Sequence, residues 1–425
     1  MKYRKQPIEA IPTQARIAIY GAGRLGAMLK GYLEKSQRGN SIPFFIDSFK
    51  NGEFEGINVV NVNDVGLLKD KYDLIVIASQ FSNEIIETLC KLDIKKFIAL
   101  DDHYFLNFVL SNEEFNSFQR KLLVDNNYLP SIMLLQISAL CNLKCTMCAH
   151  EKWRSSSGFM EDRIFFKTLE QCKINGVHEL HFYGPRGEPL LHPKALDYIK
   201  VASNEGFRVT LITNGTLLTE DKINSLLDSG VSEIGLSFSG HNKESYESVY
   251  VGAKFEETIA SIRSLKSKIS KMKTPPLFSV KGVLTSDSLD DLNLSRKFLR
   301  NLSLSPDEFV VEIAKNWRGA VELGVFHPRR NFYTLMPIDD SQVRFCEFVR
   351  RWVVYVDGDV APCGCLNYDK TLKLGNIEED SLADLATSKI HIDIIDSLCS
   401  GNIDANTLCQ KCDFPYRVPY GYMRP

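Results

Sequence analysis

The sequence predicts an α/β chain in three parts. A small doubly wound domain covers residues 14–102, a partial (β/α)6 barrel covers 131–330, and a small cysteine-rich α+β extension covers 337–425. Three observations predict it. Short apolar runs of strand length alternate with helix-period stretches along most of the chain. A Gly-x-Gly-x-x-Gly run follows the first apolar run. Two groups of cysteines fall where loops can hold a ligand, one after a strand and one around a hairpin.

The chain has 425 residues, too long for one compact core. Hydrophobic residues at 44% and charged residues at 24% are ordinary for a globular protein. A formal net charge of −2 makes no case for nucleic acid or an anionic membrane as partner. The basic start, Met1-Lys-Tyr-Arg-Lys-Gln-Pro7, lacks the apolar core of a signal peptide, and no apolar run approaches the roughly 20 residues of a membrane span. Eleven cysteines without an export signal favour thiolate ligands in a cytoplasmic protein over disulfides.

In the first part, Arg16–Tyr20 reads as a strand, and Gly21-Ala-Gly23-Arg-Leu-Gly26 follows it. A helix pattern opens next, with Leu25, Met28, Leu29 and Leu33 on one face. Phe44–Ile46 is the next strand and ends at Asp47, close to the offset of about 20 residues at which a Rossmann-like fold places a ribose-binding carboxylate. Asp73–Ser79 and Lys96–Leu100 read as further buried parallel strands. Glycines in such a turn let a phosphate approach a helix N-terminus closely, so Gly21, Gly23, Gly26 and Asp47 are candidate nucleotide-binding residues. The alternative is a domain that keeps the turn for packing. The domain is short for a full dinucleotide fold, which favours a nucleotide handle on a substrate over NAD as redox cofactor.

Residues 103–130 carry Tyr104, Phe105, Phe108, Phe115, Phe118, Leu122 and Leu123, a pattern of helical packing against the next domain. The barrel strands are expected at 133–138, 179–183, 208–213, 233–239, 277–284 and 308–314, with helices such as 193–205, 219–228 and 255–269 between them. In βα barrels of the TIM type, chemistry sits at the C-terminal strand ends. His178 and His181 beside the second strand read as structural, and Cys90 and Cys172 as core residues within helices.

The first strand leads into Cys141-Asn-Leu-Lys-Cys145-Thr-Met-Cys148. Three thiolates so close can grip three corners of an iron–sulfur cubane and leave the fourth iron open. Zinc is the alternative, although zinc sites usually use two separated ligand pairs. This C-x3-C-x2-C run resembles the signature of the radical S-adenosylmethionine (radical SAM) enzymes, with Met147 where the family often has an aromatic residue. Gly187-Glu188-Pro189, Asn214 and Ser237, at later strand ends, resemble the family's SAM-binding elements; Arg186 replaces the first glycine of its Gly-Gly-Glu-Pro run. Glu188 is expected to orient the SAM ammonium.

In the last part, Cys346 and Cys363 flank a hairpin with a tight Asp357-Gly358 turn, and Cys409-Gln-Lys-Cys412 follows a helical stretch. Together these make a four-thiolate site for a second cluster, with structural zinc as the alternative. Cys365 and Cys399 are spare, and either could replace an assigned ligand. The region resembles the SPASM/twitch auxiliary-cluster extension of radical SAM enzymes, in its short form. Basic residues at His327-Pro-Arg329-Arg330 and Arg350-Arg351 are candidate phosphate contacts, with a solvated loop as the plainer reading.

The resemblance implies an enzyme of oxidoreductase or epimerase type that holds a SAM-binding [4Fe-4S] cluster, an auxiliary [4Fe-4S] cluster and SAM, and takes electrons from a donor such as flavodoxin or ferredoxin. Its substrate would be a small molecule, such as a nucleotide-linked sugar, or a peptide. Two rival readings are a non-catalytic iron–sulfur or zinc scaffold with a nucleotide-sensing domain, and a nicotinamide oxidoreductase that consumes NAD and cleaves no SAM.

Overall fold

The computed structural model describes residues 8–416, apart from 80–81, 101–104, 106–110, 126–128, 131, 151–157, 184–186, 286–288, 306–307, 319, 329–330, 336–342, 344–345, 365–366, 368–369 and 404–406. Tyr104, Phe108, Arg186, Arg329, Arg330 and Cys365 therefore lie outside the described residues. The described chain forms two compact units that divide between Ser111 and Asn112.

The first unit is built on strands β1 (Ile17–Tyr20), β2 (Phe45–Asp47), β3 (Gly52–Phe54), β4 (Ile57–Asn61), β5 (Leu74–Ile77) and β6 (Phe97–Ala99). They form one sheet in the order β3-β4-β2-β1-β5-β6, parallel throughout except for β3. The strand order reverses beside β1, which is where doubly wound sheets open a crevice at their strand ends. The β1, β2, β5 and β6 strands were legible in the sequence; the short β3–β4 hairpin was not. Helix α1 (Arg24–Lys35) buries Gly26, Leu29 and Leu33, and α2 (Ser82–Lys91) follows β5. Cys90 is exposed, not a core residue as expected. Leu89 is buried, and the next residue lies about 100° further round the helix, on its outer face.

The second unit opens with α3 (Asn112–Arg120) and a wide helical turn over Lys121–Asp125. Strands β7 (Ile132–Leu135), β8 (Glu179–Phe182), β9 (Arg208–Thr213), β10 (Glu233–Ser237), β11 (Leu277–Leu284) and β12 (Phe309–Ile313) run parallel, each paired with the next. Between them lie α4 (Asp162–Ile174), α5 (Ala195–Asn204), α6 (Glu220–Asp228), α7 (Lys243–Glu247), α8 (Phe255–Ile269) and α9 (Leu289–Asn301). This is the expected partial (β/α)6 arc. Local chemistry sets the helix ends. Thr219 caps α6 by accepting from Lys222 N–H. Helix α8 carries Glu256 and Glu257 in its first turn and Lys266 and Lys268 in its last, matching its dipole.

The extension adds to the same sheet. After the hairpin β13 (Val325–His327) and β14 (Phe332–Thr334) come β15 (Trp352–Val354), β16 (Asp359–Ala361) and β17 (Gly375–Asn376). β15 pairs parallel with β7, Trp352 opposite Met133, so the nine strands run β12-β11-β10-β9-β8-β7-β15-β16-β17. Gly358, at φ 83°, makes the β15–β16 turn. Helices α10 (Leu382–Thr387), α11 (Lys389–Ser400) and α12 (Thr407–Gln410) close the chain. α3 packs on α11, where Asn116 Nδ2 donates to the Cys399 carbonyl at 3.2 Å and Arg120 pairs with Asp396 at 2.8 Å. Among the described residues, no helix is long and apolar enough to cross a membrane.

Candidate functional site

The cysteine loop leaves β7 at the C-terminal edge of the arc. Its backbone is tied down by protein: Lys144 N–H donates to Val251, Thr146 N–H to Val249 and Ala139 N–H to Gly158, each at about 3 Å. Cys141, Cys145 and Cys148 are partly exposed and line one cavity. Burial pushes the Cys145 thiol up to about 12, and the charges of Cys148 and Cys141 add to it, so the three sulfurs feel one another. None of the described cysteines is joined in a disulfide.

Gly187, Glu188, Asn214 and Ser237 line the same cavity. Gly187 has φ 105°, and a Cβ there would stand 2.0 Å from the Ser138 carbonyl oxygen. Only glycine lets this turn lie against the start of the cysteine loop. The next residue fixes the contact: Glu188 N–H donates to the Leu140 carbonyl at 2.7 Å. Pro189 starts a 3-10 turn, Pro189–Leu191, capped by the Glu188 side chain.

Glu188 is 2% exposed. Its Oε1 accepts from Thr213 Oγ1 at 2.6 Å and Leu190 N–H at 3.1 Å, and its Oε2 from Asn214 N–H at 2.8 Å. Burial holds this carboxyl above its usual range against the pull of those donors. The residue thus joins the ends of β8 and β9, a task the motif alone did not reveal. A carboxylate offers about four lone pairs, and the described residues fill three of them. Asn214 Nδ2 donates to Asn142 Oδ1 at 3.0 Å and Asn142 Nδ2 to Thr216 Oγ1 at 2.8 Å, which stitches the cysteine loop to β9.

Sequence reasoning missed the sixth strand end. Glu312, Lys315 and Trp317 all line the cavity. Lys315 holds the Glu312 carboxyl below its usual range, overcoming desolvation, with help from Lys281 and Arg351. Lys315 Nζ also sits 5.1 Å from the Phe348 ring centroid. Trp317 brings to the cavity the aromatic ring that Met147 does not supply. The rule that strand ends carry chemistry would have found this run, had it been applied to β12 as it was to the earlier strands.

The second cysteine set is buried: Cys346, Cys363, Cys409 and Cys412 are each at most 9% exposed. Cys363 adopts φ 60°, a strained conformation for a side-chain-bearing residue. Burial pushes Cys412 well above its usual value, and the charges of Asp413, Cys346 and Cys363 add to that. Burial pushes Cys409 up to about 12, with Arg318 pulling the other way. Cys412 N–H donates to the Cys409 carbonyl at 3.2 Å, which closes the C-x2-C turn. Cys412 feels Cys346 and Cys363, and the C-x2-C turn adds Cys409; such free thiols suit a protein-ligated cluster, as three facing a cavity suit an open one. Among the described residues, no three His, Cys, Asp or Glu side chains close around a single-ion point. A cubane asks for something else, one thiolate at each of several separate corners. Cys399 sits apart, its thiol pushed up to about 12 by burial.

The comparisons agree with this geometry. The radical SAM superfamily model matches residues 135–278, which include all three loop cysteines and the first strand ends. The chain carries a radical SAM domain. An iron–sulfur cluster-binding (SPASM) domain matches 346–413, and a domain described as C2185-like, N-terminal, matches 13–97. The radical SAM and SPASM domains imply SAM, a [4Fe-4S] cluster and auxiliary cluster ligation. The tungsten-containing aldehyde ferredoxin oxidoreductase cofactor-modifying protein of Pyrococcus furiosus is 26% identical over 293 residues, 60% of this chain and 81% of its own length. The PqqA peptide cyclase of Bradyrhizobium diazoefficiens is 33% identical over 114 residues, 26% of this chain and 29% of its own length. Streptococcus suis SuiB bound to S-adenosylmethionine shares the fold, with a TM-score of 0.50 at 17% identity over 75% of this chain and 79% of that one.

In the first unit, Asp47 lies at the end of β2 beside the glycine loop. Its Oδ2 accepts from Ala22 N–H at 3.1 Å, and its Oδ1 from Phe49 and Lys50 N–H at 2.9 and 3.1 Å. The carboxylate ties the glycine loop to the end of β2. Gly21, at φ 119°, and Gly26 are required by packing, because Cβ atoms there would stand 2.7 Å from the Ala78 oxygen and 2.0 Å from the Gly21 oxygen. Gly23 has nothing within 4 Å of its Cβ position. His181 is paired with Glu179 at 2.7 Å, and the Arg351 guanidinium lies over the Phe348 ring.

Proposed function

We propose that this chain is a radical SAM oxidoreductase acting on a small-molecule or peptide substrate. The supporting observation is that three loop thiols and the turn at Gly187 and Glu188 face one cavity at the C-terminal edge of a parallel sheet. When bound there, the cluster and SAM would supply reductive cleavage to methionine and a 5′-deoxyadenosyl radical that takes hydrogen from an unactivated C–H.

The chain's own residues do the rest. Cys141, Cys145 and Cys148 hold three irons. Gly187 brings backbone close to the cysteine loop, and Glu188 orients the SAM ammonium. Asn214 and Ser237 supply an amide and a hydroxyl at the next strand ends for ribose and carboxylate. Trp317 and Tyr250 give the cavity apolar walls that exclude water from a reactive site. Cys346, Cys363, Cys409 and Cys412 hold the auxiliary cluster, whose irons would all have protein ligands and so move electrons without binding substrate. A flavodoxin or ferredoxin would supply the electron.

Anaerobically reconstituted protein, reduced and given SAM, is expected to release 5′-deoxyadenosine and to hold about eight irons per chain. Iron with no 5′-deoxyadenosine would leave a non-catalytic scaffold. Zinc replacing the irons of the second set would make that set a structural staple and remove its electron-relay role.

For the substrate, the glycine loop favours a nucleotide-linked molecule, whereas the names of relatives such as the PqqA peptide cyclase favour a peptide. Gly23→Val separates these readings. Its Cβ enters open space, and because Gly23 caps α1 the change should cost no more than about 1 kcal/mol while any bound phosphate is displaced. Calorimetry with a panel of nucleotides is expected to show binding that this variant loses. No binding across the panel would move the reading to a peptide.

A further inference from the structure

We infer that Asn316, Trp317 and Arg318 form a strap that couples the two thiolate sites, with Asn316 and Trp317 as its positioning residues. The inference rests on the reading above that both cysteine sets hold clusters. The strap begins just beyond the end of β12. On one side, the Trp317 indole Nε1–H donates to the Met147 carbonyl at 2.8 Å, inside the Cys145–Cys148 turn. On the other, Asn316 Nδ2 donates to the Lys411 carbonyl at 3.0 Å, and its Oδ1 accepts from Asp413 N–H at 3.3 Å. Lys411 and Asp413 flank Cys412. One peptide link and three side-chain hydrogen bonds therefore join the ligand turn of the open site to the ligand turn of the buried one.

The strap's backbone shows that it is held. Trp317 and Arg318 are consecutive non-glycine residues at φ 46° and 58°. Such strain persists only where the surroundings over-determine it, and it collects at functional sites. Here Asn316 Oδ1 also accepts from Arg318 N–H at 3.1 Å, while Ala320 and Val321 N–H donate to the Trp317 and Asn316 carbonyls, each at 3.1 Å. Asn316 is 2% and Trp317 8% exposed. A strained segment whose Asn316 and Trp317 are buried and hydrogen-bonded at both ends does not absorb a shift at one end; it passes the shift to the other. Hydrogen bonds around the ligand loops tune cluster potentials, so what happens at Cys412 is felt at Cys145 and Cys148.

The test is a double-mutant cycle on the full-length reconstituted protein, reading the midpoint potential of the loop-site cluster by EPR-monitored titration. Trp317→Phe keeps an aromatic ring and removes the indole donor, at the cost of some buried volume. Cys412→Ser should shift the loop-site potential in the parent chain, and that shift should shrink by about half or more in the Trp317→Phe background. Equal shifts in both backgrounds, or no shift in the parent, would overturn the coupling. Should either variant fail to load the loop site, Asn316→Leu in the otherwise intact chain decides. It removes the bonds to Lys411 and Asp413 without adding a charge and touches nothing in the loop, yet the loop-site potential should still move; an unchanged potential overturns the coupling. Iron counts keep the two readings apart. About four irons per parent chain would sink the two-cluster reading and the coupling together, whereas about eight with equal shifts would sink the coupling alone.

Discussion

Replacing Cys141, Cys145 and Cys148 together by Ala is expected to lower 5′-deoxyadenosine release by at least about a thousandfold and to leave a folded protein. The loop keeps its course without its sulfurs, because the Lys144, Thr146 and Ala139 amides hold it to neighbouring backbone. The thiols are partly exposed to a cavity, so their loss removes little core volume. Far-UV circular dichroism should be unchanged, and about four irons should remain on the second cysteine set. Product formation by this variant would refute the assignment of the radical chemistry to the loop. Loss of both iron sets would instead mean that the second site assembles only around an intact first one.

Gly187→Ala should weaken SAM binding by about tenfold or more and destabilise the chain by roughly 2 kcal/mol or more. Two costs add here. The added Cβ would stand 2.0 Å from the Ser138 oxygen, backbone that cannot simply swing aside, and φ is 105°, which side chains rarely adopt. Relief requires this turn to back away from the cysteine loop, which stretches the bond from Glu188 N–H to Leu140 and draws the Glu188 carboxylate off Thr213 and Asn214. Gly23→Ala, with nothing within 4 Å of its Cβ, is the matching control. Denaturant unfolding and SAM titration of the pair check both effects. Normal SAM affinity in Gly187→Ala would show that close approach of these two loops is not what builds the pocket.

The barrel was legible because its elements carry strong local signals. Arg208–Thr213, Leu277–Leu284 and Phe255–Ile269 begin and end where apolar periodicity and charge placement put them. The cysteine spacings and the Gly187–Pro189 run were equally visible. Three things were not. The β3–β4 hairpin is short and partly polar, so it makes no run long enough to register a period of two. The pairing of β15 with β7 is long-range, and a three-residue apolar strand carries no record of its partner. The task of Glu188 was hidden because two of its three hydrogen-bond donors come from a different strand end, and the partners of Asn316 and Trp317 are likewise distant in sequence. Cys90 is a different kind of miss, since the helical period that buries Leu89 already turns its neighbour outward.

The pairing of β7 with β15 also sets an order of events during synthesis. The strand that leads into the cysteine loop emerges early in its unit, but the neighbour on its free side is made only after the whole arc has been translated. Until then β7 presents an open edge, which can recruit strands from other chains. Contacts so distant along the chain close late and slowly. The sheet beneath the loop is therefore incomplete while the chain is still being made, and its last strands carry the turn between Cys346 and Cys363 with them. A chain cut short before Trp352 keeps that edge uncovered.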